Sequence, residues 1–326
     1  MTLPNRPRYA ARLNAFKTGL PGKPGVADMI ARAGQVAGLN AADLNFPDHF
    51  EAHSPAGLSR ILADHGMALN GLAMRYYTDP GFRLGAFTNP DPAVRQAALD
   101  LTRRGLDALA EMGGGVMTVW QGQDGVDYSF QGDYAQMWDH TIGALAAIAD
   151  HNRALDIAIE YKPNEPRAYA MLPGIGATLL ALKEVGRANT GVTLDFAHVL
   201  YAGEIPAQTA VLIARHARLL GVHLNDGYGK RDDGLMVASV HPVQTVELFV
   251  ELARMGYDGA IYFDTFPDHG GLDPCAEAAT NIVMADRMRA VAAGLLAHAG
   301  LAEAIARQDA SASLRIVANA LYGPGS

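Results

Sequence analysis

Short apolar runs alternate with longer helical patterns along almost the entire chain, and this alternation most limits how it can fold. Strands separated by helices pair in parallel through strand-helix-strand units. Eight such units without a linker-like stretch close most simply into a (β/α)8 TIM barrel, with an open doubly wound sheet as the alternative. The predicted strands cover residues 12–16, 41–46, 67–74, 115–120, 155–161, 191–196, 219–225 and 259–264.

The helical patterns define the domain organisation. No composition break separates two blocks of elements, so we predict one catalytic domain over residues 1–296. The alanine-rich residues 297–326 exceed what a barrel needs and predict a C-terminal helical tail. One role for this tail is an arm against a neighbouring subunit, consistent with a homodimer or homotetramer. The predicted helices lie near residues 25–38, 56–65, 91–112, 134–152, 173–186, 205–217, 243–256 and 273–296.

Composition narrows the class of protein. Hydrophobic residues make up 49% of the chain and charged residues 18%, as in a soluble globular enzyme. The net charge of -8 gives no long-range attraction for nucleic acid or an anionic membrane surface, so a small ligand is the better expectation. The single cysteine, Cys275, excludes an internal disulfide. Neither a secretion signal nor an apolar run of about 20 residues is found, which predicts a cytoplasmic protein.

Polar residues follow a strict alternation on the last four predicted strands. Side chains two apart in a strand point to the same face. On the fifth strand, Glu160 and Lys162 share one face, while Ile157 and Ile159 share the other and suit packing under the helices. The polar face points into the mouth of the barrel, at the carboxyl ends of the strands, where barrel enzymes carry their chemistry. The residues placed there are Glu160, Lys162, Asp195, His223 and Asp264.

Three carboxylates crowded in a partly dry mouth need a compensating cation. Oxygen ligands with one imidazole suit Mn2+, Mg2+ or Co2+, and Zn2+ is a further alternative; we favour manganese. His198 lies three residues after Asp195, and the loop of residues 227–234 contributes Asp232, so a second ion is plausible. We therefore expect two metals per chain. The predicted ligands are Glu160, Asp195, His223, Asp264, His198 and Asp232.

Several sequence motifs carry a family resemblance. EYKxxEPxxY begins at Glu160, LDFAH spans residues 194–198, HLND begins at His223, and Asp264 ends a strand. This series resembles the xylose isomerase-like superfamily of metal-dependent sugar enzymes, and within it the bacterial L-rhamnose isomerases of broad specificity. The resemblance covers residues 155–290 and continues more loosely through FTNPDPAVRQ and VWQGQDG upstream.

The resemblance implies an aldose-ketose sugar isomerase with a free sugar as substrate. It implies a structural metal on Glu160, Asp195, His223 and Asp264, and a catalytic metal on Asp195, His198 and the acidic loop. Lys162 resembles the lysine that hydrogen-bonds the substrate carbonyl, and Trp120 the apolar wall beside the sugar. Asn89 falls near the position at which relatives often carry a histidine. The residues implied to act on substrate are Lys162, Glu160 and Asp264 in catalysis, and Trp120, Asn89, Lys162 and His198 in binding.

Two departures from the family pattern concern this site. Relatives space the two loop carboxylates by one residue, whereas Asp232 and Asp233 are adjacent, so only one is expected to ligate. Asparagine at position 89 argues against a ring-opening role there. A hydride shift between C1 and C2 and an enediol route, with Glu160 or Asp264 removing a carbon-bound proton, both stay open.

Other functions compete with the isomerase. A ketose 3-epimerase usually ends the eighth strand in glutamate, which Asp264 does not match. An enzyme of sugar-acid or glycoside breakdown could keep the same ligands, a phosphodiester nuclease would need a basic face, and a sugar-binding protein without turnover would not need Lys162. Structural alternatives are a Lys162–Glu165 ion pair, a core role for Trp120 and a buried structural His198.

Overall fold

Eight parallel strands form a closed barrel in the computed structural model, which describes residues 7–323. In chain order the strands are β1 (Tyr9–Arg12), β2 (Leu39–Phe46), β3 (Ala68–Met74), β4 (Val116–Trp120), β5 (Gly125–Val126), β6 (Asp156–Glu160), β7 (Tyr169–Ala170), β8 (Thr190–Asp195), β9 (Leu219–Leu224) and β10 (Ile261–Phe263). Around the barrel the order is β1-β10-β9-β8-β6-β4-β3-β2, and β5 pairs with β7 as a separate antiparallel ladder. The predicted (β/α)8 TIM barrel is confirmed.

Helices connect the strands and surround the barrel. In the part of the chain that the structure describes they are α1 (Val26–Ala33), α2 (Pro55–Asp64), α3 (Pro92–Glu111), α4 (Tyr134–His151), α5 (Ile175–Val185), α6 (Phe196–Tyr201), α7 (Pro206–His216), α8 (Pro242–Arg254), α9 (Pro267–Gly270), α10 (Pro274–Leu296), α11 (Ala299–Ala306) and α12 (Ala310–Tyr322). Aspartates cap several of them: Asp91 accepts a hydrogen bond from the Ala93 backbone N–H at 2.8 Å at the start of α3. Such capping satisfies backbone donors that have no partner within the helix.

The first predicted strand, residues 12–16, is wrong. The barrel strand is β1, and Leu13–Lys17 forms a 3-10 helix instead. Leu13, Ala15 and Phe16 are nevertheless buried, and a short apolar run alone does not distinguish a strand from a buried helical turn. The predicted helix over 25–38 is also shorter, because α1 ends at Ala33 and is followed by Gly34.

Strand parity divides the barrel interior from the core outside it. Outward-facing apolar residues such as Ile157 and Val192 belong to the large core cluster between strands and helices. Inside the barrel, Ala10, Ala41 and Tyr262 form a separate small cluster. The small residues leave space within the barrel, so polar side chains at the carboxyl ends of the strands have room to converge.

The predicted C-terminal tail is helical. Within residues 297–323, α11 and α12 are present, and Ile316 and Val317 of α12 pack against the core, whereas Leu314 and Tyr322 are exposed. Residues 324–326 lie outside the described residues. The role of the tail as an arm against another subunit stays a prediction. No single helix of residues 7–323 has the length and hydropathy of a membrane span, although the bent pair α10 and α11 meets that test by length and composition.

A buried histidine beside β2 makes stability depend on pH. His49 is 5% exposed, its Nδ1 accepts the Asn45 backbone N–H at 3.0 Å, and its Nε2 donates to Asn14 Oδ1 at 2.9 Å. This pattern fits only the neutral imidazole, because the protonated ring has no acceptor at Nδ1. Burial, with Arg75 and Lys17 nearby, lowers the pKa of His49 from 6.5 to about 4.

We expect the free energy of unfolding to fall between pH 6.5 and pH 4, because the unfolded chain binds a proton on His49 that the folded chain excludes. The contribution is about 3 kcal/mol over this window and is fully present above pH 6.5. Urea denaturation at a series of pH values measures it. In His49→Gln, whose amide oxygen still accepts the Asn45 N–H, this part of the pH dependence should vanish; an unchanged dependence would contradict the assignment.

Candidate metal centre and substrate cavity

Four predicted ligands meet at the carboxyl ends of four neighbouring strands. Glu160 ends β6, Asp195 ends β8, His223 lies near the end of β9, and Asp264 directly follows β10. Parallel pairing sets Asp195 opposite His223 in register. One ligand atom from each of the four side chains lies within 4.8 Å of the others.

Burial makes this cluster electrostatically strained. Asp195 is 1% exposed, and Glu160 and His223 are also buried. Burial and the charge of Asp195 together raise the pKa of Asp264 to about 7. Burial alone would lower the pKa of His223, yet the charge of Glu160 raises it to about 10. Negative charge therefore dominates the cluster, and a cation would stabilise it.

The donor atoms fit a divalent metal. His223 Nδ1 is buried with no hydrogen-bond partner in the described part of the chain, 3.5 Å from Glu160 Oε2 and 3.9 Å from Asp195 Oδ2. An imidazole nitrogen left without a hydrogen bond beside carboxylate oxygens is suited to coordinate an ion. Three carboxylates and one imidazole form a hard, oxygen-rich ligand set of the kind that Mn2+, Mg2+ and Co2+ accept.

Asn225 holds this arrangement in place and was not assigned a role from the sequence. It is fully buried, and its Nδ2 donates to Asp195 Oδ2 at 3.2 Å and to the Asp264 carbonyl at 3.1 Å. Its Oδ1 accepts the Ala197 backbone N–H at 2.8 Å. Asp195 itself caps α6 through the His198 backbone N–H at 2.9 Å. The sequence signal for Asn225 is its spacing: it lies two residues after His223, so it is expected to point to the same inward side.

A second group of polar side chains adjoins the first. His198 Nδ1 donates to the Tyr161 carbonyl at 3.0 Å, which leaves Nε2 facing Asp232 Oδ2 at 3.1 Å. Burial disfavours the charged imidazole, but Asp195 and Asp232 raise the pKa of His198 to about 9. Asp232 Oδ1 is buried and has no hydrogen-bond partner within residues 7–323. These atoms are the ones that could serve a second ion.

The adjacent carboxylate takes no part in this group. Asp233 accepts the Tyr228 backbone N–H at 2.8 Å and pairs with Arg231 at 2.7 Å. Asp232, in contrast, lines the cavity with His198. This difference agrees with the expectation that only one of the two adjacent aspartates is available as a ligand.

Lys162 pairs with a carboxylate of the second group and lies beside Trp120. Its side chain is 8% exposed, with Nζ 3.1 Å from Asp232 Oδ2 and 3.0 Å from Glu165 Oε2. Nζ also lies 5.2 Å from the centre of the Trp120 ring. Burial disfavours the charged amine, but Asp232 and Glu165 more than compensate and raise its pKa. Lys162 thus forms the predicted ion pair with Glu165 and also lines the cavity.

A cavity of about 470 Å³ opens above the two groups, large enough for a sugar. Trp120 lines it, and Tyr77 packs edge-on against the Trp120 ring with centroids 5.1 Å apart. A side chain at Gly122 would come within 2.4 Å of the Trp120 ring, so glycine there permits the position of the indole. The lining comprises Arg12, Asp43, Asn45, Ala73, Met74, Arg75, Tyr77, Thr118, Trp120, Glu160, Lys162, Glu165, His198, His223, Asp232, Tyr262, Asp264, Phe266 and His269.

The structure places Asn89 outside this lining. Its Nδ2 donates to the Gly85 carbonyl at 2.9 Å, and its Oδ1 accepts the Asp91 backbone N–H at 3.0 Å. Both ends of the amide are therefore used in shaping the loop before α3. We do not retain Asn89 as a substrate-binding residue, because its polar atoms face its own loop rather than the cavity.

Three strand-end loops are fastened to one another beside the cavity. Asp124, which is fully buried, accepts the Ala86 and Thr88 backbone N–H groups at 2.9 and 2.7 Å through Oδ1. Its carbonyl accepts the Met171 N–H at 3.0 Å, next to the β5–β7 ladder. The loops after β3, β4 and β6 therefore form one connected wall.

The fold belongs to a known class. Residues 31–290 match the model of the family described as xylose isomerase-like TIM barrel. This match covers most of the chain, and the chain belongs to that family. The resemblance read from the motifs at residues 160–264 is thereby confirmed at the family level.

Individual relatives are more distant. The chain is 30% identical to the xylose isomerase of Thermus thermophilus over 211 residues, which are 63% of this chain and 54% of that protein. It thus spans about half the length of the curated relatives it matches. A solved L-ribulose 3-epimerase superposes with a TM-score of 0.69 at 14% identity, covering 90% of this chain and 98% of that one. A solved D-allulose 3-epimerase from Methylomonas sp. superposes with a TM-score of 0.67 at 17% sequence identity, covering 89% of this chain and 100% of that one. At these identities, the solved structures establish the fold only.

We expect Glu160→Gln to lose most of the thermal stabilisation that Mn2+ confers, because a neutral amide oxygen is a weaker ligand in the four-residue cluster. An ion that binds only the folded state stabilises it by about 2.7 kcal/mol at 100 times its dissociation constant. Thermal unfolding with and without Mn2+ measures the difference. Metal analysis of the saturated wild-type protein should find about two ions per chain.

Asp139→Asn is the matched control, since it also removes one carboxylate charge but lies exposed on α4. Its response to Mn2+ should equal that of the wild type. An Mn2+ response of Glu160→Gln as large as that of the wild type would contradict a metal at this cluster.

Proposed function

We propose that this protein is a metal-dependent aldose-ketose isomerase of sugars, related in action to L-rhamnose isomerase. The observation that carries the proposal is the shared cavity: three members of the carboxylate-imidazole cluster, Glu160, His223 and Asp264, and the buried ammonium of Lys162 line the same space. A sugar-binding protein would gain little from a lysine buried beside carboxylates. An isomerase, in contrast, needs a cation where charge develops on the substrate carbonyl oxygen.

Metal ions form part of this proposal. Glu160, Asp195, His223 and Asp264 would hold one ion, and His198 with Asp232 would contribute to a second, with Mn2+ as the favoured metal. A divalent cation there supplies Lewis-acid polarisation of carbonyl and hydroxyl oxygens. The orphaned His223 Nδ1 supports the first site, and the unpartnered Asp232 Oδ1 supports the second.

The protein's own groups would orient and polarise the sugar. Lys162 Nζ would donate a hydrogen bond to the carbonyl oxygen, and its pairing with Asp232 and Glu165 keeps it charged. Trp120 would cover an apolar face of the sugar and exclude water from one side.

Two routes remain compatible with this geometry. In a hydride shift, hydrogen moves directly between C1 and C2. In an enediol route, Glu160 or Asp264 removes a carbon-bound proton and returns it to the neighbouring carbon. The raised pKa of Asp264 belongs to the cluster without an ion and does not choose between the routes.

A ketose 3-epimerase is the second candidate. The observation in its favour is the presence of two carboxylates, Glu160 on β6 and Asp264 after β10, at the two ends of the row of cluster strands. An epimerase needs acid and base groups on opposite faces of one carbon. The likeness of the fold to solved 3-epimerases is compatible with this candidate and with the isomerase alike.

The reaction is tested with a panel of aldoses and ketoses in D2O with Mn2+, followed by NMR. An isomerase is expected to interconvert aldose and ketose, whereas an epimerase is expected to introduce deuterium at C3 of a ketose. Deuterium at the transferred carbon would reject a pure hydride shift. Absence of turnover for the entire panel, by a protein that binds Mn2+, would oppose both candidates.

We expect Lys162→Met to lower kcat by about 10²–10³-fold, because a cation facing the developing oxyanion is lost while the methionine keeps a similar shape. Metal binding should persist, since Lys162 is not among the proposed ligands. Steady-state kinetics on the best sugar of the panel measures the effect. Lys183→Met, on the exposed surface of α5, is the matched control. A near-normal kcat in Lys162→Met would mean that Lys162 has only a structural role, in its ion pair with Glu165.

A further inference from the structure

An arginine in the cavity wall has no carboxylate at ion-pair distance among residues 7–323. Arg75 directly follows β3 and lines the cavity. Its guanidinium carbon lies 4.3 Å from the centre of the Tyr77 ring. Among residues 7–323, it forms no hydrogen bond or ion pair through its side chain, and its Nε is buried without a partner.

The other strand-end cations differ from Arg75 in this respect. Arg12, which ends β1, pairs with Asp268 at 2.8 Å and lies over the Phe266 ring. Lys162 pairs with Asp232 and Glu165. Both charges are therefore balanced by the protein itself. Arg75 is left to interact with something else in the cavity.

Arg75 also faces the metal cluster across the barrel. In the order β1-β10-β9-β8-β6-β4-β3-β2, β3 is diametrically opposite β9, which carries His223. A chain-like ligand held at the cluster by one end would therefore extend its other end toward β3. Burial, only partly offset by Asp48, lowers the pKa of Arg75, as expected of a charge that lacks a close counter-ion.

The chemistry of the guanidinium defines the group that it would bind. The guanidinium carbon lies over the Tyr77 ring, and the terminal nitrogens form no hydrogen bond within residues 7–323. The two terminal nitrogens of a guanidinium bind a carboxylate through two parallel hydrogen bonds. One unpaired positive charge matches one carboxylate. A phosphate, with close to two negative charges, would call for a second unpaired cation, and Arg12 is already engaged by Asp268.

We propose that the substrate is a sugar acid, with its carboxylate bound by Arg75 and the opposite, carbonyl-bearing end held at the metal cluster beside Lys162. This proposal rests on the proposed isomerase or epimerase function and names its substrate class. Arg75 is a specificity-determining residue: it selects an acidic over a neutral terminus. Tyr77 positions it, and through Tyr77 it is linked to the Trp120 wall.

Binding tests the proposal without turnover. D-Gluconate and D-glucitol differ only by a carboxylate in place of a hydroxymethyl group, and neither can be isomerised. In calorimetric titrations of the Mn2+-loaded protein, gluconate should bind at least about tenfold more tightly than glucitol. In Arg75→Gln, the two affinities should become equal within about threefold. Arg60→Gln, an exposed substitution of equal charge on α2, should keep the wild-type ratio.

Three results would overturn the proposal. Equal binding of gluconate and glucitol by the wild type would remove the anion site. Tight gluconate binding that survives Arg75→Gln would place the carboxylate on the metal instead. Glucose 6-phosphate binding more tightly than glucuronate, with the larger loss in Arg75→Gln, would identify a phosphate site.

Kinetics separates this proposal from the proposed function. With D-glucuronate and D-galacturonate against D-glucose and D-galactose, the wild type should favour the acids by at least about tenfold in kcat/KM, and Arg75→Gln should lose that preference. Arg75→Lys keeps the positive charge but lacks the planar guanidinium, so its preference for the acids should lie between those of the wild type and Arg75→Gln. Turnover of neutral sugars at equal or higher efficiency would refute the sugar-acid assignment and leave the isomerase intact. Calorimetric selectivity without any turnover would support the anion site and refute the isomerase.

Discussion

Like-charge crowding is the constraint on which this site depends. The barrel directs three carboxylates and one imidazole into a largely buried space, and their mutual repulsion has to be offset by a positive charge. Hydrogen bonds to the surrounding fold hold the arrangement in place. Asn225 ties Asp195 to the strand that carries Asp264, and Asp195 also begins α6. The oxygen atoms of the cluster are consequently positioned by backbone structure rather than by flexible side chains alone.

Positive charge is distributed unevenly around the cavity. Beside the cluster, Lys162 lies among acidic partners and is kept protonated by them. Across the barrel, Arg75 has an aromatic neighbour and no acidic one at ion-pair distance in the described chain. The cavity thus has one end built for oxygen atoms that bind a metal and another end suited to an anion. An extended, polar molecule with different ends suits such a space better than a symmetric one.

Strand parity explains how much of the site the sequence could predict. Glu160, Asp195 and His223 lie within strands, where side chains alternate regularly, so their common direction follows from residue spacing. Arg75 and Tyr77 lie beyond the end of β3, where alternation stops, and no pattern places them. Arg12 was missed because the buried apolar residues that follow it, Leu13, Ala15 and Phe16, extended the predicted strand past its true end.

Contacts across loops could not be predicted in the same way. The family pattern suggested Asn89 by position, but its amide closes its own loop with Gly85 and Asp91. The inward direction of Asn225 was visible in the sequence, whereas its hydrogen bonds to Asp195 and to the Asp264 backbone depend on how three strands align. The family comparison extends the prediction to the fold as a whole, but not to these local arrangements.

The small ladder between β5 and β7 couples two parts of the site that are far apart in the chain. It joins the segment after Trp120 to the segment after Lys162, so the aromatic wall and the ammonium group belong to one mechanical unit. Exchange of either loop alone with that of a homologue would break backbone pairing as well as alter side chains. New substrate preferences in this lineage would therefore arise more readily through paired changes in both segments, or through single substitutions on the opposite wall, which this ladder does not constrain.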